Sequence, residues 1–368
     1  MVKVLQIGMT SNIGGMETYL MAQYRAINRK KVQYDFINIT GEKEIAFANE
    51  IRKNGGIIYS VPSRHSNPLI HYYKVVKLLL YIRNNYKFII YNTCSLNYIF
   101  PLFIAKLLGI PNRIIHSHNS GNEIKINFVR RAIIEINKIL MNFSVTEYWA
   151  CSQVAGKFMF GNKKFRIIHN AIDTDEFVFN EAVRQQKRQE LGLNDALVIG
   201  NVARFSYQKN HEFLLHIFAE ILKRETNAKL LLVGDAKGNE EWLKYIKDLA
   251  NKLKISDKVL FLGLRSDIAE LYQAMDCLVM PSRFEGLSVT AIEAQATGLP
   301  ILCSTAMSRE TKITNNMYQL SLDNNFAIWA KKSLDIVKRK RRNMKNEIIN
   351  SGYDINTEIN KIQQLFIG

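Results

Sequence analysis

The chain is poor in cysteine, in proline, in acid and in long apolar runs. Its 368 residues include 4 cysteines and 6 prolines, and 33 Asp+Glu stand against 50 Lys+Arg. Cys94, Cys151, Cys277 and Cys303 are far apart, which excludes a closely spaced zinc or redox motif. Each lies in an apolar run and reads as a buried small side chain, a usage that fits a reducing cytosol. So few prolines leave little room for stiff linkers. The longest apolar stretch, Leu96 to Ile110, is broken by Asn97, Pro101 and Lys106. It falls short of the roughly 20 residues that a spanning helix needs. The opening "MVKVLQIGMT" has one basic residue and reads as a first strand rather than a signal peptide. The expectation is a soluble cytoplasmic protein, with attachment to the inner face of the cytoplasmic membrane left open.

The shortage of acid is uneven. Residues 1–178 hold 23 Lys+Arg and 11 Asp+Glu, and the remainder hold 27 and 22. With a formal charge of +17, such a chain attracts nucleic acid, acidic lipid or a phosphorylated substrate. The run "KRKRR", Lys338–Arg342, reads as a solvated helix face. Nucleic acid is disfavoured, because no aromatics interleave with those charges and no recognisable module is present.

What is abundant is alternation. The first half offers "KVLQIGM", "YDFINI", "GGIIYSV", "FIIYNTC", "RIIHSH" and "EYWACS" as strands, with helix-like segments such as Glu17–Asn28 and Leu69–Asn84 between them. The second half offers "LVIGNVARF", "KLLLVGD", "KVLFLG", "DCLVMPS" and "PILCST". Strands that are apolar throughout, with helical crossovers, indicate parallel sheets covered on both faces. The fold class is therefore α/β, with two Rossmann-like, doubly wound domains. The expected domains are 1–175 and 176–352. A helix candidate at Ile355–Phe366 lies in a tail, 353–368, that is free to return to the first domain.

Three loops carry candidate chemistry. "IGMTSNIGGMETYL" places Gly14 and Gly15 before a helix, with Glu17 in its first turn. Such glycines let a backbone approach an anion at a helix start, although a plain tight turn fits equally well. "GNVARFSYQKNHEFLL" sets Arg204 and Lys209 at a strand end, where a planar fork and a movable point charge suit two linked phosphates. "FEGLSVTAIEAQATGLP" holds Glu285 and Glu293. Ser288 reads as the N-cap of a helix reaching about Thr297, with Glu285 just outside it and Glu293 roughly 7–8 Å along its axis. The amides of Gly286, Leu287 and Ser288 lie between the two acids, at the positive end of the helix dipole. A nucleoside diphosphate sugar fits that layout, with hydroxyls at both ends and charge in the middle. The bland alternative makes Glu285 a cap and Glu293 a surface residue.

The block "PSRFEGLSVTAIEAQATGLP" resembles the E-x7-E signature of retaining glycosyltransferase family 4. "VARFSYQKNHEFLL", "LLLVGD", "KVLFLGLRSDIAELYQAMDCLVMPS", "IIHNAIDTDEF" and "SNIGGMETYL" are similar to the family's other motifs, in order. "RIIHSHNS" and "WACSQVAGKFMFG" resemble members that build capsular and exopolysaccharides. Two positions depart from the pattern: Ala203 stands for the usual glycine before the arginine, and Ala236 for the glycine after "VGD".

The resemblance implies a GT-B architecture, two Rossmann-like domains facing a central cleft, with the donor held mainly by the second and the acceptor by the first. It implies that Glu285 contacts donor-sugar hydroxyls, that Glu293 takes the ribose, and that Arg204 and Lys209 hold the diphosphate as charge grows on it. The backbone of Gly14 and Gly15 would approach the same phosphates, and the segment near Leu264 would lie beside the base. His118 is preferred over His116 for the donor sugar, His116 being the one expected to point into the sheet. The reaction implied is transfer of a hexose-type sugar from a nucleotide donor with retention. No cofactor is expected beyond that co-substrate, and no metal. Asp173-Thr174-Asp175 is formally a metal-binding D-x-D, but its setting is an interdomain linker. The acceptor is expected to be a lipid-linked saccharide, and Lys125–Phe143 has the mix of apolar and basic residues of an interfacial helix touching an anionic membrane. A nucleotide-sugar 2-epimerase on the same fold is the nearest rival. A basic nucleic-acid-binding protein is the rival from another class.

Overall fold

The computed structural model describes residues 1–119, 121 and 127–368. Ser120 of "HSHNS", and Lys125 and Ile126, the first two residues of the expected interfacial helix, lie outside the described residues. The described residues form two compact units, 1–171 with 355–368, and 172–354.

The first unit is built on seven strands: β1 (Val2–Ile7), β2 (Val32–Asn38), β3 (Ile58–Ser60), β4 (Phe88–Thr93), β5 (Asn112–Ser117), β6 (Glu147–Ala150) and β7 (Arg166–Ile167). The order across the sheet is β3-β2-β1-β4-β5-β6-β7, and every pairing is parallel. The second unit has β8 (Leu197–Val202), β9 (Ala228–Val233), β10 (Val259–Gly263), β11 (Cys277–Met280), β12 (Ile301–Ser304) and β13 (Met317–Leu320). Their order is β10-β9-β8-β11-β12-β13, again all parallel. Both sheets reverse their winding in the middle, between β1 and β4 and between β8 and β11. Connections there leave to opposite sides, which opens a crevice at the carboxyl ends of the strands.

Strand side chains alternate between the two faces of a sheet. In the second unit Leu231, Val233, Leu278 and Met280 enter one core, while Leu230, Leu232, Cys277 and Val279 enter the other. That double burial is why these strands are apolar throughout. Two glycines are required by close approach. A Cβ on Gly8 (φ +117°) would lie 2.0 Å from the Asn92 carbonyl oxygen, and one on Gly234 (φ +148°) would lie 2.0 Å from that of Ala203.

The units divide four residues before the expected boundary, and hydrogen bonds explain the shift. The Ile172 N–H donates to the Tyr353 carbonyl at 2.9 Å, and the Thr174 hydroxyl to Asp354 at 2.7 Å. Residues 172–175 are thereby tied to the end of the second unit. Asp173 accepts from the Asp175 N–H at 3.1 Å, and Asp175 pairs with Lys345. Among the described residues no group of three or more His, Cys, Asp or Glu is arranged to hold a metal ion. The helix Ile355–Ile367 returns to the first unit, where Ile359, Ile362 and Phe366 join the core of Tyr34, Phe88 and Trp149. The Phe366 ring meets that of Phe88 edge-on at 4.9 Å.

Two expectations are corrected. Cys94 is exposed, because the chain leaves the sheet one residue earlier at Thr93. Lys338–Arg342 is not a helix face; the helix Phe326–Ile336 ends before it, and the run turns back. Within it the Arg341 guanidinium is tucked in, donating to the carbonyls of Tyr272, Gln273 and Met275. No helix of the described residues is long and apolar enough to cross a membrane.

Candidate functional site

The central crevice of the second unit is lined from two strand ends. β8 delivers Arg204 and Lys209, and β11 delivers Glu285 to Glu293. Phe205 is buried and stacks on His211 at 4.4 Å, anchoring the loop and leaving its neighbour Arg204 exposed. Asn210 takes a left-handed φ of +57° and starts the helix His211–Leu222, while its side chain donates to the Pro281 carbonyl at 3.1 Å. The Gln208 side chain donates to the Phe284 carbonyl at 3.0 Å, and the Arg283 N–H to the Gln208 carbonyl at 2.8 Å. The Arg283 guanidinium lies 4.2 Å over the Tyr207 ring. The two loops are thus fastened together by amide hydrogen bonds and a cation–π contact, to which an ion pair between Lys209 and Glu285 adds.

Glu285 is held on both sides of its backbone. Its N–H donates to Ala306 at 3.2 Å, and its carbonyl accepts from the Ser308 N–H at 3.1 Å. Its side chain is 11% exposed and meets Lys209 Nζ at 2.5 Å. A charge-assisted contact of that kind fixes both groups. Ser288 caps the helix Val289–Ala296, accepting from the Ala291 N–H at 3.4 Å. Gly286 and Leu287 precede the cap. Among the described residues nothing accepts from their N–H groups, so two donors stand at the positive end of the helix.

Glu293 is the fifth residue of that helix and is half-buried. Tyr272, itself fully buried, donates its hydroxyl to Glu293 Oε2 at 3.0 Å and to the Thr290 carbonyl at 3.3 Å. Burial pushes the Glu293 carboxyl up to about 7, the Tyr272 hydrogen bond opposes that shift, and the Glu176 carboxylate adds to it. Neither acid of the pair is enclosed in the core. Leu264 is 56% exposed beyond β10, the edge strand two places from β8, and is not brought to this cluster.

In the first unit the corresponding crevice receives the loop after β1. Gly14 occupies the N-cap position of the helix Gly15–Ala26 in extended conformation, and Gly15 is its first residue. Glu17 is buried and turns back on the loop, accepting from the Thr10 hydroxyl at 2.7 Å and the Thr10 N–H at 3.2 Å. It therefore braces the glycine turn from within. His116 is buried near the end of β5, and His118 follows that strand, half-buried. Their rings are 4.0 Å apart. Asn92 donates through Nδ2 to Gln6 and to the Ile7 carbonyl, so its Oδ1 is the acceptor for His118 Nε2 at 3.1 Å. His118 Nδ1 then carries a lone pair. The Asn170 side chain lies beside the ring, yet nothing among the described residues meets Nδ1 with hydrogen-bond geometry. Burial pushes the His118 pKa down to about 3. The ring is neutral near pH 7, and Nδ1 is a buried acceptor.

Sequence reasoning missed the supporting residues. Tyr272 lies 21 positions before Glu293, and nothing in the spacing announces their hydrogen bond. Arg341, read as solvated, steadies the same region by holding the Tyr272 carbonyl at 2.8 Å and the Thr297 hydroxyl at 3.1 Å.

Residues 183–354, most of the second unit, match the family described as glycosyl transferases group 1. The Bacillus subtilis (strain 168) protein named "Putative glycosyltransferase EpsF" is 31% identical over 376 residues, covering 99% of this chain and 96% of its own. An Escherichia coli UDP-Gal:alpha-D-GlcNAc-diphosphoundecaprenol alpha-1,3-galactosyltransferase is 27% identical over 216 residues, 55% of this chain and 54% of its own. HepE of Anabaena, solved in complex with UDP and glucose, superposes with a TM-score of 0.77 at 19% identity over 100% of both chains. That likeness extends to the whole GT-B fold, both parallel-sheet units included. With a full-length relative at this identity and the family's own pattern across the unit that holds Glu285 and Glu293, the chain belongs to the group 1 glycosyltransferases.

Proposed function

We propose that this glycosyltransferase moves a hexose-type sugar from a nucleoside diphosphate donor to a hydroxyl of a lipid-linked saccharide, with retention, in the assembly of a surface polysaccharide. The observation that carries the reading is the Lys209–Glu285 contact at the winding reversal of the second sheet, next to the unengaged N–H groups of Gly286 and Leu287 at a helix start. Arg204, Lys209 and the N–H groups of Gly286 and Leu287 would bind the diphosphate. Glu285 would accept from hydroxyls of the transferred sugar and Glu293 from the ribose. In the first unit the Gly14-Gly15 backbone would approach phosphate, and His118 Nδ1 would accept from a sugar hydroxyl. Leu264 would border the base.

The bond from the anomeric carbon to the diphosphate breaks as that from the acceptor oxygen forms on the same face. The acceptor proton passes to the departing phosphate oxygen, and the sugar passes through an oxocarbenium-like state. The growing negative charge is met by Arg204, Lys209 and the helix start, so no metal is required. A UDP-sugar is the first donor to try, since HepE was solved with UDP and the Escherichia coli relative is named for UDP-Gal. The lipid-linked acceptor draws on the latter name too.

The test is transfer from a panel of nucleotide sugars to a polyprenyl-diphosphate saccharide, read by mass spectrometry with and without EDTA. Turnover should survive EDTA. Glu285→Gln should lower kcat on the order of a hundredfold while UDP still binds. Unchanged turnover in that variant, or donor epimerisation without acceptor, would remove the assignment.

A further inference from the structure

The helix Phe128–Ser144 is turned inside out for a surface helix. It buries Asn137, Met141 and Ser144, and Asn137 donates to the Leu96 carbonyl at 2.7 Å. At 100° per residue these fall on one arc. Phe128, Val129, Ile133, Ile136, Ile139 and Phe143 are exposed and share a second arc, with Phe128 at 85% and Ile139 at 69%. Arg131, Glu135, Lys138 and Asn142 form a third, and Glu135 is paired with Lys138 at 2.8 Å. A surface helix normally keeps its apolar stripe on the core.

Its neighbours extend the pattern. The helix Phe100–Leu107 packs against it and also against the helix Pro68–Ile82. Lys106 lies 5.5 Å over the Phe143 ring. Leu69, Tyr73, Leu80 and Tyr81 of Pro68–Ile82 are exposed, as are Lys74 and Lys77. Between Glu50 and Glu123 the sequence contains no Asp or Glu at all. Both of these neighbouring helices fall in that acid-free stretch.

We infer that the Phe128–Ser144 helix, continued on one side by Phe100–Leu107 and then Pro68–Ile82, is a docking surface for an anionic lipid bilayer. Its apolar arc enters the boundary between headgroups and acyl chains, and Arg131, Lys74, Lys77 and Lys106 meet acidic headgroups. Exposed Tyr and Phe suit that depth, where one end of the ring is wet. A second copy of the chain would bring the same positive charge to the same face and be repelled. The choice of a bilayer rests in part on the lipid-linked acceptor proposed above. The test therefore uses neither donor nor acceptor, so the two ideas can fail separately.

Full-length protein is floated with phosphatidylcholine vesicles with and without phosphatidylglycerol, at low and high salt, with sedimentation velocity run alongside. Binding should need phosphatidylglycerol and fall with salt. Ile136→Asp with Ile139→Asp should weaken it on the order of a hundredfold at an unchanged melting temperature, since both side chains are exposed. Arg131→Glu should weaken it about fivefold or more. Equal binding to both vesicle types, full binding by the double variant, or a stable dimer that the double variant dissociates would each overturn the inference.

Discussion

Glu293 carries two opposed demands. Its folded pKa is raised from 4.5 to about 7, so the protonated form is the one the fold favours. The stability this supplies is complete below about pH 4.5 and is lost as pH rises through 7. Glu293→Gln should therefore melt a few degrees higher than the parent at pH 8, and the gap should close toward pH 5. Donor binding should run the other way, because ribose hydroxyls need an ionised acceptor. Affinity for UDP-glucose, measured calorimetrically, should strengthen several-fold from pH 6 to pH 8, and in Glu293→Gln it should be weak and flat. Tyr272→Phe removes the hydrogen bond that holds the carboxyl down, so the midpoint of that rise should move to higher pH. A parent affinity that ignores pH would separate Glu293 from the ribose. The acid was legible in the sequence because Ser288 marks a helix start. Its partner was not, since a tyrosine on another helix becomes a neighbour only through packing.

At the scale of elements, the strands buried on both faces were read, and so were the partly covered edge strands β3 and β10. β11 is a continuous apolar run, and β8, β9 and β12 are apolar but for Asn201, Lys229 and Ser304. β13, "MYQL", was missed because it is only four residues long and Gln319 interrupts its apolar run. The loop ends follow a stricter logic. Gly234 and Gly238 lie four residues apart on the chain after β9, yet only the first faces a neighbouring strand. Gly234→Ala should cost at least about 3 kcal/mol, since Cβ would meet the Ala203 carbonyl in a strained backbone. Gly238→Ala, with φ +77° and nothing within 4 Å, should cost about 1 kcal/mol. Thermal unfolding of the two variants decides, and equal costs would refute the packing argument. Placing the Arg204 loop beside the Glu285 loop likewise needed the sheet order, because β8 and β11 are far apart in sequence.

At the scale of the molecule, two doubly wound units were legible from repeated strand–helix alternation, and a returning tail was open to expectation. The division at Ala171 was not, since it depends on which side of the junction the hydrogen bonds of Ile172 and Thr174 fall. The helix Ile355–Ile367 supplies three core residues to the first unit. Removing 355–368 should uncover Tyr34, Phe88 and Trp149 and destabilise that unit selectively. Limited proteolysis of the truncated chain should digest residues 1–171 while 172–354 persists as a resistant fragment. Equal resistance of both units would show the tail to be an accessory.

That tail also sets a schedule. A ribosome making about 5–20 residues per second needs roughly ten to forty seconds to go from Ala171 to Ile355. Through that interval the earliest-made sheet waits with part of its interior missing, while the later-made unit can already close. A late stop codon would therefore remove core residues from the part of the protein translated first.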